Sequence, residues 1–513
     1  MGAQRFPPAP EPARRNLLRR SSLTRTKLWH AARGPQRTAP CMKQLSLMAA
    51  TSNDTLGLYI SIPFCRSKCT YCNFASGVFP AKDHERYVAR VIEDLRAAPA
   101  WAAKMAVHLP RRVDSVYFGG GTPSLLSPDL IRQLFAAMHA EFGFDPAAEI
   151  NVECAPGQIA DDTLQALVQC GVQRVSLGVQ SFIDREAQVS GRLHSRAIVM
   201  DDLRRLRAAG ITNINLDLIA GLAGQTAASW DESLNVLIDA ATPHASVYML
   251  EVDEDSRLGR EMISGGSRYF SAQVPTDDAI ADMYQHAIAR LASAGLRQYE
   301  LSNFSRPRHQ SRHNLRYWQR RPYLGLGLDA SSMLYAVADD DHTRTGLMDG
   351  LVSGHDFSRA AKGPKIAGLQ PLRDVLPLHK RIRETASTPP YILRTSAIDD
   401  LSAFLAGPAP VETAWLSPAR QLEEAWFLGL RMNAGVNLAS LRREFGHNPV
   451  SQAMTTITRL VEEGLLTSDA KTVRLTAQGR LLSNDVFQQF LGLDSTVDSD
   501  RESEDREAAL AAR

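Results

Sequence analysis

The sequence predicts an α/β fold, a partial (β/α)6 barrel followed by a smaller, mainly helical domain, and three observations carry that expectation. Between residues 57 and 250 short β-branched runs alternate with helical patterns. Glycines and polar residues collect at the carboxyl ends of several of those runs. From 416 to 491 the order changes to helix, helix, helix, short hairpin, helix. With 513 residues the chain has room for two or three domains and a sizeable core.

The expected strands run over 58–62, 115–118, 149–153, 174–179, 213–219 and 246–250. Helical periodicity fills 83–96, 127–142, 161–169, 195–209 and 226–241 between them. Ser127 before Pro128 reads as an N-cap with proline in the first turn, and Gly143 and Gly210 read as C-terminal stops. Strict β/α alternation implies parallel strands with helices on the outside. Six units are too few to close an eightfold barrel, so one side stays open to a large substrate.

The flanking segments differ in composition. Residues 1–55 carry Arg5, Arg14, Arg15, Arg19, Arg20, Arg25, Arg33 and Arg37 against only Glu11 before Asp54. Such a leader suits a mitochondrial transit peptide; an over-long start, with Met42 or Met48 as the true one, or a disordered leader fits better because no amphipathic face emerges. The expected organisation is this leader at 1–55, the barrel at 56–300, a post-barrel segment at 301–338, a glycine-rich flexible insert at 339–400, the C-terminal domain at 401–493 and a charged tail at 494–513. The helix order of the C-terminal domain resembles a winged-helix module. Glu462 and Glu463 and the lack of a dense basic stripe point to docking or structure rather than to nucleic acid. A net charge of +2 argues neither for nor against a polyanionic partner. No transmembrane segment approaches the roughly twenty apolar residues a bilayer requires, and a cytoplasmic location is expected unless the leader is a genuine mitochondrial signal.

Cys65, Cys69 and Cys72 form CxxxCxxC directly after the first strand. Three thiolates leave one iron of a four-iron cubane open, because such clusters are normally closed by four cysteines. A structural zinc site wants four ligands, and a disulfide needs an oxidising compartment for which no secretory signal is visible. An open iron suits a chelating amine and carboxylate, which the methionine end of S-adenosylmethionine offers. Here the chain resembles the radical S-adenosylmethionine enzymes, a resemblance that implies a reducible [4Fe-4S] cluster. Cys154 and Cys170 read as small buried residues, and Cys41 falls in the leader.

Gly119-Gly120-Gly121-Thr122-Pro123 follows the second strand, where glycines let a ligand approach the backbone and bond to free amides and carbonyls. Glu153, Gln180, Arg192 and Asp217 then supply polar groups at strand ends, where carboxylates suit ribose hydroxyls and an arginine suits a carboxylate. YISIPFCRSKCTYCNF, YFGGGTPS, GVQRVSLGVQSF, NINLDLIAGL, SRHNLRYW and LTAQGRLLSNDVFQQFL together resemble the HemN/HemW branch of the superfamily over roughly residues 57–335 and 415–491. The resemblance implies that Tyr59, Tyr71, Gly120 and Glu153 line the cofactor beside the cluster and that Gly119–Thr122 meets its amino group. It implies that Gly121, Thr122, Gln180, Arg192 and Asp217 match positions holding a second S-adenosylmethionine in the oxidase of that branch.

Two activities occur in the branch: oxygen-independent oxidation of coproporphyrinogen III, and heme chaperoning. The oxidase carries a further cysteine two residues past the third, where this chain has Phe74. The resemblance therefore implies a chaperone that binds heme and hands it to apoproteins, with the oxidase as the alternative and another radical enzyme, such as a methyltransferase, as the second. Whether the scaffold also performs catalysis is left open. His313-Asn314-Leu315-Arg316-Tyr317-Trp318 matches the HNxxYW motif associated with heme handling, with His313 as candidate axial ligand and the nearby Arg308, Arg312, Arg316, Arg320 and Arg321 as propionate partners. A structural histidine with its aromatics packed in the core is the competing reading. Related chains carry GAGAHG after this motif, whereas this one reads Gly325-Leu326-Gly327-Leu328-Asp329-Ala330 and lacks that histidine.

Overall fold

A computed structural model describes residues 54–337, 389–407 and 411–492. The leader up to residue 53, Cys41, the insert from 338 to 388 and the tail beyond 492 lie outside the described residues.

Six strands pair in chain order, each parallel to the next: β1 (Thr55–Ile62), β2 (Arg112–Gly120), β3 (Gly143–Cys154), β4 (Arg174–Gln180), β5 (Asn213–Ala220) and β6 (His244–Met249). The crossovers are α1 (Lys82–Lys104), α2 (Pro128–Glu141), α3 (Asp161–Gln169), α4 (Asp184–Val189) with α5 (Arg196–Ala208), and α6 (Ala227–Asp239). After β6 come α7 (Arg257–Ser264), α8 (Asp277–Ser293), β7 (Arg297–Gln298), β8 (Asn303–Ser305), α9 (Arg312–Trp318), β9 (Tyr323–Leu326) and β10 (Ser331–Tyr335). Then follow β11 (Ile392–Ser396), α10 (Leu401–Ala406) and β12 (Glu412–Leu416).

The sheet extends beyond the six expected strands. β9 lies parallel to β1 on its free side, and β10, β11 and β12 continue from it antiparallel. At the other end β8 and β7 add antiparallel to β6. Among the described residues the order is linear, from β12 to β7, so the barrel stays open. Ile392–Ser396, expected within the flexible insert, is a strand whose partner β10 comes from the post-barrel segment.

Alternation along the strands decides the two faces. Leu56, Leu58, Ile60 and Ile62 of β1 are fully buried, as are Val175, Leu177 and Val179 of β4 and Ile214, Leu216 and Leu218 of β5. These join one apolar cluster with helix residues such as Val88, Leu134, Leu203 and Leu234. Successive strand side chains point to opposite faces. The intervening residues Tyr59, Tyr117, Glu153, Ser176, Asp217 and Ser246 therefore fall on the opposite, inner face. Burying each large aliphatic side chain outside contributes roughly 1.5–3 kcal/mol, and that outer layer leaves the interior free to be polar.

Local signals act as the sequence suggests at Ser127 and Gly210. Ser127 accepts from the Leu130 amide with Pro128 in the first turn, and Thr226 and Ser229 form a reciprocal capping box. Gly210 ends α5 with φ +89°. Gly143 is different: it opens β3, while Phe142 in an extended conformation ends α2.

The amino-terminal end of the sheet is closed by Arg316 of α9. Its fully buried guanidinium bonds Asp114, the Thr55 carbonyl at 3.1 Å and the Pro322 carbonyl at 2.7 Å, so one side chain ties β1, β2 and the approach to β9. Gly57 makes room for it, since a Cβ there would lie 2.4 Å from Arg316 Cδ. Arg321 adds a second contact to Asp114, at 2.7 Å.

Beyond β12 the chain forms α11 (Pro418–Arg431), β13 (Val436–Asn437), α12 (Leu438–Phe445), α13 (His447–Glu462), β14 (Leu466–Ser468), β15 (Thr472–Leu475), α14 (Ala477–Leu481) and α15 (Ser483–Gln488). The three strands pair in the order β13–β15–β14. A separate core unites Trp426, Val450, Ile457, Leu460, Val473 and Phe490, with Trp426 stacked on Phe490 at 5.1 Å. Arg431 at the end of α11 anchors this domain to the barrel, its Nε 2.9 Å from the buried Glu300 carboxylate and its guanidinium 4.2 Å from the Trp318 ring.

Asp114 tests the closure. Burial raises its carboxyl pKa, but Arg316 and Arg321 outweigh that and hold it below the ordinary range. A carboxyl depressed in the folded state contributes stability at neutral pH that is lost as pH falls through the folded pKa. Asp114→Asn strands a buried guanidinium and should cost roughly 3–5 kcal/mol in urea unfolding at neutral pH, with a smaller deficit in acid.

Candidate cofactor site

The cysteine segment leaves β1 and folds over the carboxyl end of β2. Its course is held by backbone bonds: the Gly121 amide donates to the Ile62 carbonyl at 2.7 Å and the Thr122 amide to the Phe64 carbonyl at 2.8 Å. A Cβ on residue 121 would lie 2.8 Å from the Phe64 carbonyl oxygen and 2.9 Å from that of Ile62, so only glycine allows this approach. The expectation that both amides are free for a ligand is thereby corrected, because both are spent on the cysteine segment. Gly120 instead donates to Glu153, and Gly119 lies under the Tyr59 and Tyr117 rings.

Each sulfur of the triplet has a polar neighbour, two from elsewhere in the chain and one from within the segment. Thr122 Oγ1 lies 3.8 Å from Cys65 Sγ, Arg192 Nη1 lies 3.5 Å from Cys69 Sγ, and Ser76 Oγ lies 3.9 Å from Cys72 Sγ. All three cysteines are free thiols. Among the described residues no three His, Cys, Asp or Glu side chains gather as a single metal ion would require. A cubane takes its thiolates on separate irons and its sulfurs accept hydrogen bonds, so three free thiols on one short segment, each with a polar neighbour, are a donor set that fits a cluster. Cys154 by contrast is buried in the core with its thiol pushed up to about 12 by burial, while Cys170 is half-buried.

Arg192 links the triplet to β4 by bonding the Gly178 carbonyl with its other nitrogen. Tyr71 lies against Cys69 and Arg192, its hydroxyl raised well above the ordinary value, first by burial and then by the Cys69 charge. Gln180 ends β4 at φ +68°, and its side-chain oxygen is buried without a hydrogen-bond partner in the protein. A strained backbone and an orphaned acceptor at a strand end fit a bound donor better than a packing role.

Deeper in the barrel Tyr117 donates to Glu153 at 2.7 Å, and Tyr59 stacks on Tyr117 with centroids 6.1 Å apart. Glu153 and Asp217 border a polar cavity of about 30 Å³ together with Tyr117, Arg174, Asn215 and Tyr248. Asp217 is not at a strand end as expected: it lies inside β5, paired in register with Gly178, and accepts from Asn215 at 2.7 Å. Burial raises its carboxyl. Tyr117 escapes the motif reading, although its place two residues before Gly119, on the same strand face, is a usable signal.

His313 stands apart from the thiols. It is fully buried on α9, with Nδ1 3.0 Å from Ser115 Oγ and Nε2 2.8 Å from the Tyr317 hydroxyl. Both ring nitrogens are engaged and burial, reinforced by Arg316, lowers its pKa to about 3, so the neutral imidazole offers no free lone pair to a heme iron. Most of the neighbouring cations are occupied too, whereas Trp318 Nε1 and Arg320 Nη1 are buried without a hydrogen-bond partner among the described residues and Asn314 borders the polar cavity. Arg316 and Arg321 bond Asp114, Arg320 bonds Glu444 at 2.8 Å, and Trp318 carries Arg431. The HNLRYW run is a joint between barrel and C-terminal domain.

Glu153 gives this interior a measurable pH dependence. Burial, then the Asp217 charge, carry its carboxyl from 4.5 up to about 7 against the opposing bonds from Tyr117 and Gly120. Between those values the folded protein holds a proton that the unfolded chain releases, so stability falls as pH rises across that window. In the cofactor-free protein Glu153→Gln should unfold at the parent's temperature near about pH 4 and above it near about pH 8. Parallel curves for the two proteins would contradict this account.

Comparison with known proteins agrees with the geometry. The radical SAM superfamily model matches residues 59–237, and that of the HemN C-terminal domain matches 416–482. The chain is 35% identical over 327 residues to the heme chaperone HemW of Synechocystis sp., covering 63% of this chain and 77% of that one. It is 29% identical over 433 residues to the Lactococcus lactis HemW, covering 84% and 96%. A mouse protein, radical S-adenosyl methionine domain-containing protein 1, mitochondrial, is 32% identical over 326 residues, covering 62% and 70%. Among solved structures the coproporphyrinogen III oxidase HemN of Escherichia coli, a radical SAM enzyme, aligns with a TM-score of 0.64 at 20% identity over 85% of this chain and 90% of that one, a likeness of fold. Among the described residues no helix is long and apolar enough to cross a membrane. The chain belongs to the HemW family of the radical S-adenosylmethionine superfamily.

Proposed function

We propose that this protein is a heme chaperone: it holds a [4Fe-4S] cluster on Cys65, Cys69 and Cys72, binds S-adenosylmethionine beside it, and carries heme to acceptor apoproteins. The observation that carries the reading is the cysteine segment itself, three thiols each with a polar neighbour, and Phe74 at the place where the oxidase has its further cysteine. The relatives named heme chaperones support it. When bound, the cluster would supply a reducible iron with one open coordination position.

The chain's own residues would do the rest. Thr122 and Arg192 donate toward the sulfurs of Cys65 and Cys69, and the Ser76 hydroxyl lies 3.9 Å from the sulfur of Cys72. Tyr59, Tyr71, Gly119, Gly120 and Glu153 would line the first S-adenosylmethionine. Glu153, which titrates near neutrality, would accept hydroxyl or ammonium protons as a carboxylate. Of the positions associated with a second S-adenosylmethionine, Gln180, Arg192 and Asp217 retain side-chain groups for it, whereas the amides of Gly121 and Thr122 are spent. Heme would bind without His313, whose nitrogens serve the joint.

The alternative, oxidation of coproporphyrinogen III, is favoured by the HemN fold alone. Anaerobically reconstituted protein should bind hemin and give no protoporphyrinogen from coproporphyrinogen III with reductant and S-adenosylmethionine. Product accumulation would promote the oxidase. Cys65→Ala, Cys69→Ala and Cys72→Ala should each lose cluster iron and its visible absorbance, while Cys154→Ala keeps both. A fully loaded Cys69→Ala protein would refute the ligand assignment.

A further inference from the structure

Beside the cysteine segment lies a cavity of about 480 Å³, within the roughly 300–1,000 Å³ typical of small-molecule sites. One wall is the segment itself, with Lys68, Cys72 and Val78, and the other is the stretch carrying Asp255, Arg257 and Arg260. Three cations and one carboxylate line it, and a second carboxylate, Asp253, accepts from the lining Asn73 at 3.2 Å. Lys68 Nζ bonds the carbonyls of Phe74 and Ser76 at 2.5 and 2.7 Å, Arg257 that of Lys68 at 3.1 Å, and Arg260 that of Asp255 at 2.9 Å. Among the described residues none of the three forms an ion pair, and each guanidinium keeps further N–H donors. Phe74, between the lining residues Asn73 and Ser76, is 63% exposed, and Val78 is 65% exposed. An apolar edge beside a wall of three cations, in excess over the carboxylates, is the complement of a flat hydrophobic ring system carrying carboxylates.

We propose that this cavity is the heme-docking surface, with Phe74 and Val78 against the macrocycle and Arg257, Arg260 and Lys68 on its propionates. The proposal rests on the heme-chaperone reading and moves the site from the HNLRYW joint to the flank of the cluster-binding segment. It also gives Phe74 a role. A residue departing from the oxidase pattern becomes the apolar contact for the cargo.

The test uses the full chain, anaerobically reconstituted, titrated with hemin and with hemin dimethyl ester, whose carboxylates are blocked. Arg257→Glu with Arg260→Glu should weaken hemin binding about tenfold or more and leave the ester within about twofold of wild type. Phe74→Ser should weaken both ligands alike. Arg257 touches the cysteine segment, whereas Arg260 bonds only a carbonyl of its own stretch. Arg260→Glu alone, with circular dichroism and cluster absorbance as wild type, therefore carries the charge test with a loss of about threefold. Wild-type hemin affinity in both charge variants would overturn the site and leave the heme reading standing. A wild-type protein that takes up neither ligand would overturn both.

Discussion

The site depends on how closely the end of β2 approaches the cysteine segment. Two backbone hydrogen bonds, from Gly121 to Ile62 and from Thr122 to Phe64, lay the chain across the strand end at a distance that no side chain at position 121 permits. That contact fixes where Cys65 starts and brings Thr122 Oγ1 to its sulfur. The later thiols are then met from β4 by Arg192 and from within the segment by Ser76. The GGGTP run thus shapes the site before any ligand arrives. Its amides are structural members rather than free recognition groups.

The second constraint is strand alternation in a barrel whose outer face is sealed by helices. Aliphatic residues take the outer positions, so the inner ones can hold Tyr117, Glu153, Asp217 and Ser246. A polar interior demands partners, and they form a continuous chain. Arg431 bonds Glu300, and Glu300 accepts from Asn303. Ser246 Oγ lies 2.8 Å from Asn303 Oδ1 and 3.2 Å from Asn215 Oδ1, and Asn215 donates to Asp217. The chain runs from the end of α11 to the middle of β5, so the C-terminal domain helps set the polarity of the barrel interior. α9 does the same at the amino-terminal end through Arg316, Asp114 and His313. The motif that attracts a ligand-binding interpretation is occupied in holding the molecule together.

Much of this was legible in the sequence because the signals are local. The six β strands and the helices between them follow from periodicity, Ser127 caps its helix by a contact three residues away, and CxxxCxxC places three thiols on one short segment. Other features carried no local signal. β9 and β11 are short and pair with strands distant in sequence, β9 with β1 and β11 with β10 across the insert. Gly143 resembles a helix stop in sequence, yet its amide bonds the Arg111 carbonyl and opens a strand.

By itself the sequence determined the chemistry available: three clustered thiols, a glycine run that admits close approach, and polar side chains spaced along apolar strands. Tertiary structure alone decided how each is used. Asp217 became an interior residue because β5 pairs in a register that puts Gly178 beside it. His313 became a joint because α9 packs where Ser115 and Tyr317 can take both nitrogens. Arg257 and Arg260 became neighbours of the cysteine segment because the first turn of α7 packs on Lys68 and Thr70. The physical reason is the same each time. A residue's type limits the bonds it can make, but whether those bonds are spent on the protein or left for a ligand depends on which distant segments pack against it.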